Sequence, residues 1–391
     1  MLLQSLVVNS LLIGIMVFLF YLNSYTIRGK YKFDNANSGP SFWTIEVLLS
    51  LLFFSIMFGI RYDVGTDHIS YLESYIWKMP ISKNEPLYNG IVELSHLLNF
   101  HYTIYFGIIA FLQISFFFYA FKKEMILFPL LIFFLFTNGE ILSWMNIMRQ
   151  SVAICIWLFS LNYIIEKRFW LYIFWCLVAF LFHRSAIILI VFYPILRNGI
   201  DYFKSIPLQL GLLIIAFIMK EIFFDIVMNF SAVIELYTNL LGNEMYENYY
   251  NIEDLLDNYK QSGGTGLAYL FGIAVNVLII LYSNKLKKFY NNKRFNIAYF
   301  LYFVGILIAY LFPIGFISFT RPFRYLFIFE AIMLAYFCYY LYKSNNVSKR
   351  LIMTVVILGY LGIFYLSQIF ANADSHIWHQ FYFQSKNILH S

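Results

Sequence analysis

Residues 5–22 read "SLVVNSLLIGIMVFLFYL" and carry no charged side chain. As a helix such a run is about 27 Å long, close to the roughly 30 Å of a bilayer's hydrocarbon core. A membrane strand would alternate apolar and polar positions, and this run does not alternate. It therefore predicts a spanning helix. The run starts close to Met1, without a basic flank or a small-residue cleavage site, and is expected to be retained rather than removed as a signal peptide.

Comparable runs recur along the 391 residues as far as "LIMTVVILGYLGIFYL" at 351–366. Hydrophobic residues make up 61% of the chain, aromatics 22% and charged residues 12%, whereas a soluble domain carries about 25% charged residues. The expected fold is all-α: one polytopic membrane domain over 1–391, with about 12 membrane segments. The runs at 169–182 and 184–196 are too short to cross singly and are expected to form a re-entrant pair meeting at "HRS". The polar, tyrosine-rich stretch 225–264 is expected to be a large extracytoplasmic loop. Cys155, Cys176 and Cys338 lie in apolar stretches, which gives neither a disulfide framework nor a metal-ligand spacing.

Basic residues cluster in alternate inter-span stretches, including Lys122, Lys123, Lys167, Arg168, Lys287, Lys288, Lys293 and Arg294. The positive-inside rule makes that side cytoplasmic. Both termini, and the remaining charged motifs, are then expected on the outer side.

Four of those motifs could carry chemistry. "FGIRYDVGTDHISYLESY" (58–75) places Arg61, Asp63 and Asp67 after an apolar run, with a turn at Gly65, Thr66 as the cap of a new helix, and Asp67 and Tyr71 on one face. The bland alternative is that Arg61 reaches toward headgroups and the aspartates cap or pair with it. "WMNIMRQSVAICIWLF" (144–159) sets Arg149 and Gln150 at a helix start, where a cation opposes the helix dipole unless something anionic lies nearby; headgroup contact is the alternative. "FLFHRSAIILI" (180–190) puts His183, Arg184 and Ser185 between two apolar runs, and a histidine there is either structural or a proton acceptor. In "FPIGFISFTRPFRYLFIFEAIML" (312–334), Arg321 and Arg324 are three apart and could grip one phosphate or diphosphate, or else both reach outward. Ionisable groups near a bilayer usually line a cavity or pathway, which favours one polar site. "QSGGTGLAYLFG" (261–272) lacks the Lys-Ser/Thr ending of a nucleotide loop. No HExxH, GxSxG or EF-hand pattern occurs, so a metal-free reaction without a cofactor is expected.

At these residues the chain resembles the EpsG family of polysaccharide polymerases, related to the Wzy O-antigen polymerases. The matching pieces are Arg61 through Gly65 to Asp67 and Tyr71, Glu85-Pro86, Arg149-Gln150, His183 with Ser185, and Arg321/Arg324-Tyr325. The resemblance implies a GT-C-like helical glycosyltransferase of the plasma (inner) membrane. It would join oligosaccharide repeat units carried on undecaprenyl diphosphate at the outer face, with membrane lipids and a chain-length regulator as partners and no nucleic acid.

Within that reading His183 is the first candidate base, with Asp67 and Asp63 behind it. Arg61, Arg149, Gln150, Arg184, Arg321, Arg324, Tyr325 and Tyr71 are the candidate diphosphate and substrate ligands. Two other readings suit many helices and a basic cavity: a flippase for the same lipid-linked oligosaccharide, and a membrane O-acyltransferase with histidine as base.

Overall fold

The structure, a computed structural model, describes residues 2–28, 42–79, 84–229, 266–312, 320–344, 346–370 and 380–384. Helices dominate: α1 (Leu2–Arg28), α2 (Ile45–Gly59), α3 (His68–Ile76), α4 (Pro86–Leu97), α5 (Tyr102–Ala120), α6 (Phe128–Thr137), α7 (Glu140–Asn146), α8 (Met148–Ile165) and α9 (Phe169–Phe182). A 3-10 segment (Arg184–Val191) then leads into α10 (Phe192–Leu196), α11 (Ile206–Asn229), α12 (Leu267–Tyr290), α13 (Lys293–Leu311), α14 (Arg324–Lys343) and α15 (Val347–Ile363). Among the described residues the extended structure amounts to one antiparallel pair, β1 (Arg61–Tyr62) with β2 (Gln380–Phe381).

Several helix starts follow from local chemistry. Pro86 opens α4, where its missing N–H costs nothing. Asn292 Oδ1 accepts from Phe295 N at 2.8 Å at the head of α13, and Asn346 Oδ1 accepts from Ser348 N at 2.8 Å at the head of α15.

Among the described residues seven helices are long and apolar enough to cross a membrane, or eight if the bent pair Lys122–Thr137 with Glu140–Asn146 counts as one span. The remaining apolar segments, Ile45–Gly59, Phe169–Phe182, Arg184–Leu196 and Ile206–Lys220, are shorter. Fifteen helical residues reach about 22 Å, less than a straight crossing requires. The expected span 125–145 is instead two helices bent by 59°, with Gly139 at φ +81 in the break. Residues 225–229 continue α11 rather than begin the expected loop, whose remainder lies outside the described residues.

The described residues form two compact units. In the first, residues 1–194 with 334–391, α2 packs on α5, α5 on α8, α8 on α9, and α1 on α2 and α6. The α2–α5 approach depends on Gly59, where an added Cβ would lie 2.6 Å from the Thr103 carbonyl oxygen and 3.2 Å from Gly107 Cα. Both neighbours are backbone and cannot yield locally. Gly59→Ala is expected to destabilise the protein by about 1–3 kcal/mol, read as a lower melting temperature in detergent.

This unit has two chemically different ends. At one, Lys122 and Lys123 follow α5, Lys123 lies 3.8 Å from Glu166, and Lys167 and Arg168 complete the α8–α9 turn. Asn23 donates to Thr44 Oγ1 at 2.7 Å and Trp43 stacks on Tyr119 at 6.2 Å, bringing the end of α1 and the start of α2 to the same place. At the other end β1 pairs with β2 and Gln4 donates to Gln384 at 2.7 Å.

The short runs at 169–182 and 184–196 do fold back on each other. The chain reverses at His183 (φ −156, ψ 122), Phe169 meets Tyr193 at 4.9 Å, and the Tyr172 hydroxyl donates to the Leu189 carbonyl.

The second unit, residues 195–333, packs α11 on α12 and α13. Its α12–α13 turn is basic, with Lys287 held by Asp201 at 2.8 Å. Farther along these helices Asn276 donates to Tyr310 Oη at 3.0 Å and to Glu330 Oε1 at 2.9 Å, and accepts from Tyr302 at 2.8 Å.

Candidate functional site

The geometry centres on Glu85. It precedes Pro86 at the head of α4 and is 3% exposed, yet it places one carboxylate oxygen on each of two distant side chains. His183 Nδ1 lies 2.8 Å from Oε1, and Arg149 Nη1 donates to Oε2. Burial would raise the pKa of this carboxyl; the hydrogen bond with His183 and the charge of Arg149 outweigh it and hold the group below its ordinary value. Glu85 is therefore an anion at neutral pH.

Helix direction explains how residues so far apart in sequence meet. Arg149 is the second residue of α8, which runs to the basic end; α9 returns and stops at His183. The two antiparallel helices thus deliver Arg149 and His183 to one end, and the anion missing beside Arg149 in the sequence is Glu85.

Aromatic residues complete the arginine's surroundings. Arg149 Nε donates to the Tyr71 hydroxyl at 3.4 Å, and the guanidinium carbon lies 6.0 Å from the Tyr71 ring centre and 5.8 Å from that of Tyr88. Tyr88 shares a hydrogen bond with Tyr105, and Tyr75 stacks on Tyr105 at 4.7 Å. Burial pushes the Tyr88 phenol well above its usual pKa, so it stays neutral. Gln150, 2% exposed, donates to Ser185 Oγ at 3.4 Å and ties α8 to the segment after His183.

Arg61 departs from expectation. It is 1% exposed and donates to the Phe58 carbonyl at 3.2 Å, to the Met145 carbonyl at 3.1 Å and to Met148 Sδ at 3.2 Å. Enclosed this way it presents no guanidinium edge to a ligand, and neither Asp63 nor Asp67 is its ion-pair partner. The new helix starts at His68 with Asp67, not Thr66, at the cap position and without a side-chain cap bond. Asp63 is half-buried at φ 51 and Asp67 is half-buried.

Arg184 is half-buried beside His183. In the second unit Arg321 opens a 3-10 turn that continues as α14 from Arg324, so the two half-buried arginines keep the spacing at which such side chains eclipse. Tyr325, expected among the substrate ligands, is fully buried.

Two residues are brought into the site that motif reading gave no role, Glu85 and Tyr88. Glu85 had been singled out only as part of the Glu85-Pro86 piece of the EpsG resemblance, an acid immediately before a helix-starting proline.

His68, on the first turn of α3, is fully buried between Phe106 (4.9 Å between ring centroids) and Tyr62 (5.9 Å), and neither ring nitrogen has a hydrogen bond. Burial, then the charge of Arg61, holds its pKa well below the ordinary value. An unfolded chain takes up this proton near pH 6.5 while the folded one does not. Stability is therefore full above about pH 6.5 and is lost as pH falls toward the depressed folded value, by up to about 1.4 kcal/mol per pH unit. The melting temperature is expected to fall between pH 7 and 5.5, and His68→Phe is expected to flatten that slope.

A family model described as the EpsG family matches residues 44–383. The chain belongs to the EpsG family. No curated protein and no solved structure matches it. Family membership supports a polysaccharide polymerase role in general, and the long apolar helices make the chain a multi-pass membrane protein. The matched range spans both compact units and includes Glu85, Arg149, His183, Arg321 and Arg324.

Proposed function

We propose that this chain joins oligosaccharide repeat units carried on undecaprenyl diphosphate into a surface polysaccharide, at the outer face of the plasma membrane. The observation that carries the reading is the Arg149–Glu85–His183 chain of contacts around the buried Glu85 carboxylate. A carboxylate on Nδ1 favours the tautomer protonated there and leaves Nε2 as the basic nitrogen, as an orienting acid does for a catalytic histidine.

In the reaction an acceptor sugar hydroxyl attacks the anomeric carbon of the donor glycan. The new glycosidic bond forms as the bond from that carbon to the lipid diphosphate breaks. The hydroxyl proton passes to His183 Nε2, and the undecaprenyl diphosphate leaves as an anion. Guanidinium groups stabilise the charge that develops on it; in the first unit Arg149, through the N–H groups that Glu85 and Tyr71 do not take, fills that role, and in the second unit the Arg321/Arg324 spacing suits a phosphate in its own right. Asp63 and Asp67, half-buried on the segment that leads into α3, stand behind His183 as bases.

The distribution of charge supports the orientation. In the first unit Lys122, Lys123, Lys167 and Arg168 occupy the end opposite Glu85, a distribution that by the positive-inside rule supports an extracytoplasmic Glu85 end.

Purified protein supplied only with lipid-linked repeat units tests the reading. Lengthening without nucleotide sugar, acyl-CoA or added metal, and unchanged by a chelator, is the expected result. Translocation without bond formation would mean carriage, and dependence on acyl-CoA would mean acyl transfer.

A further inference from the structure

We propose that Arg61 is a positioning residue: its guanidinium fastens the carbonyl ends of two helices and thereby sets the place from which Arg149 enters the site. The inference rests on the polymerase reading above.

A guanidinium this deeply enclosed needs a counter-charge, and its hydrogen bonds reach no carboxylate. They reach the carbonyls of Phe58 and Met145. Phe58 lies in the last turn of α2 and Met145 in the last turn of α7. Carbonyls there lack intrahelical donors and carry the negative end of the helix dipole. Two such ends meeting on one cation supply the negative partner, and the Phe58 and Phe106 rings, 5.6 and 5.3 Å from the guanidinium carbon, add their electron-rich faces.

The location of those carbonyls gives the arrangement its consequence. Helices α7 and α8 are separated by a break at Ile147 (φ −92, ψ 47). Arg61 holds both sides of it, the Met145 carbonyl before and Met148 Sδ after, and Arg149 is the next residue. Arg61 also begins the segment that turns at Gly65 and leads into α3, which carries Tyr71. Gly65 is at φ +97, and an added Cβ would lie 2.3 Å from Asn146 Oδ1, so this segment is packed against the same break. One side chain thus sets the register between Arg149 and its partner Tyr71. A lysine keeps the charge but cannot span two helix ends with a planar fork.

The test is a double-mutant cycle on the purified polymerase with lipid-linked repeat units. Arg61→Lys is expected to lower kcat about tenfold with KM within about twofold. In an Arg149→Lys background, where there is no guanidinium left to position and protein abundance is expected to be kept, the same change is expected to cost less than about twofold. An equal fold-loss in both backgrounds, or an unchanged kcat in the native background, would overturn the proposal. Should Arg61→Lys fail to accumulate in membranes, Met148→Leu removes one acceptor while keeping the charge, and the same cycle applies to it. If Arg149→Ala alone leaves the rate unchanged, the polymerase site is wrong; if Arg149→Lys lowers the rate and the cycle is additive, only the role given to Arg61 is lost.

Discussion

Glu85→Gln is expected to lower the polymerisation rate by on the order of 10² to 10⁴, at equal protein in the membrane. The substitution keeps shape and reach but converts one of two acceptors into a donor. Both neighbours of Glu85 are donors in the active arrangement, Arg149 through Nη1 and His183 through Nδ1. If the amide oxygen stays with Arg149, the amide nitrogen faces Nδ1, and the imidazole can accept that bond only by moving its proton to Nε2. The nitrogen meant to take the acceptor's proton is then already protonated. If the amide turns the other way, its NH2 faces the Arg149 donor, and the arginine, already without its counter-charge, loses its acceptor as well, in a place where its side chain is 14% exposed and that of the glutamate 4%. Either orientation disables one member of the site. Glu85→Asp is expected to fall in between, because it keeps the charge but is too short to hold both partners. Initial rates of chain lengthening measure the effect, and Glu85→Gln activity within about threefold of wild type would remove His183 as an oriented base.

The architecture and the ends of the key helices were legible in the sequence because membrane helices announce themselves by apolar length. Arg149 at the start of "WMNIMRQSVAICIWLF" was suspicious for a sound reason, the mismatch between a cation and a helix N-terminus, and the structure supplies Glu85 as the anion that resolves it. Glu85 itself could not be found that way. It lies 64 residues from Arg149 and 98 from His183, and its local context reads as an ordinary helix start.

Arg61 misled for a different reason. A motif of one arginine and two aspartates suggests ion pairing between side chains, whereas the partners used are backbone carbonyls and a thioether, and carbonyls leave no trace in a sequence. The number of crossings was obscured similarly. Apolar composition marks a segment as membrane-grade but says little about the bend at Gly139, whereas the fourteen-residue α9 and its turn at His183 were readable from the polar break at "HRS".

Arg149→Lys carries the second large effect: a rate lower by on the order of 10² with protein abundance largely kept. Arg149→Ala is expected to add a loss of stability of about 3–5 kcal/mol. The two substitutions separate what the guanidinium does. Alanine leaves the Glu85 carboxylate buried with His183 as its remaining partner, so the cost falls on folding and appears as reduced abundance and a lower melting temperature. Lysine preserves a cation near Glu85, so the anion remains compensated. It cannot, however, donate to Glu85 and to the Tyr71 hydroxyl from a rigid plane, nor lie over the Tyr71 and Tyr88 rings as the guanidinium does. It would also lack the further N–H groups proposed to meet the departing diphosphate, and charge alone would not restore them. Because the pair is mostly buried, wild-type stability should depend weakly on salt, while the lysine variant, more loosely held, should lose rate as salt rises. Full activity in Arg149→Lys at matched abundance would show that a point charge suffices and that planar, multi-donor recognition plays no part in the reaction.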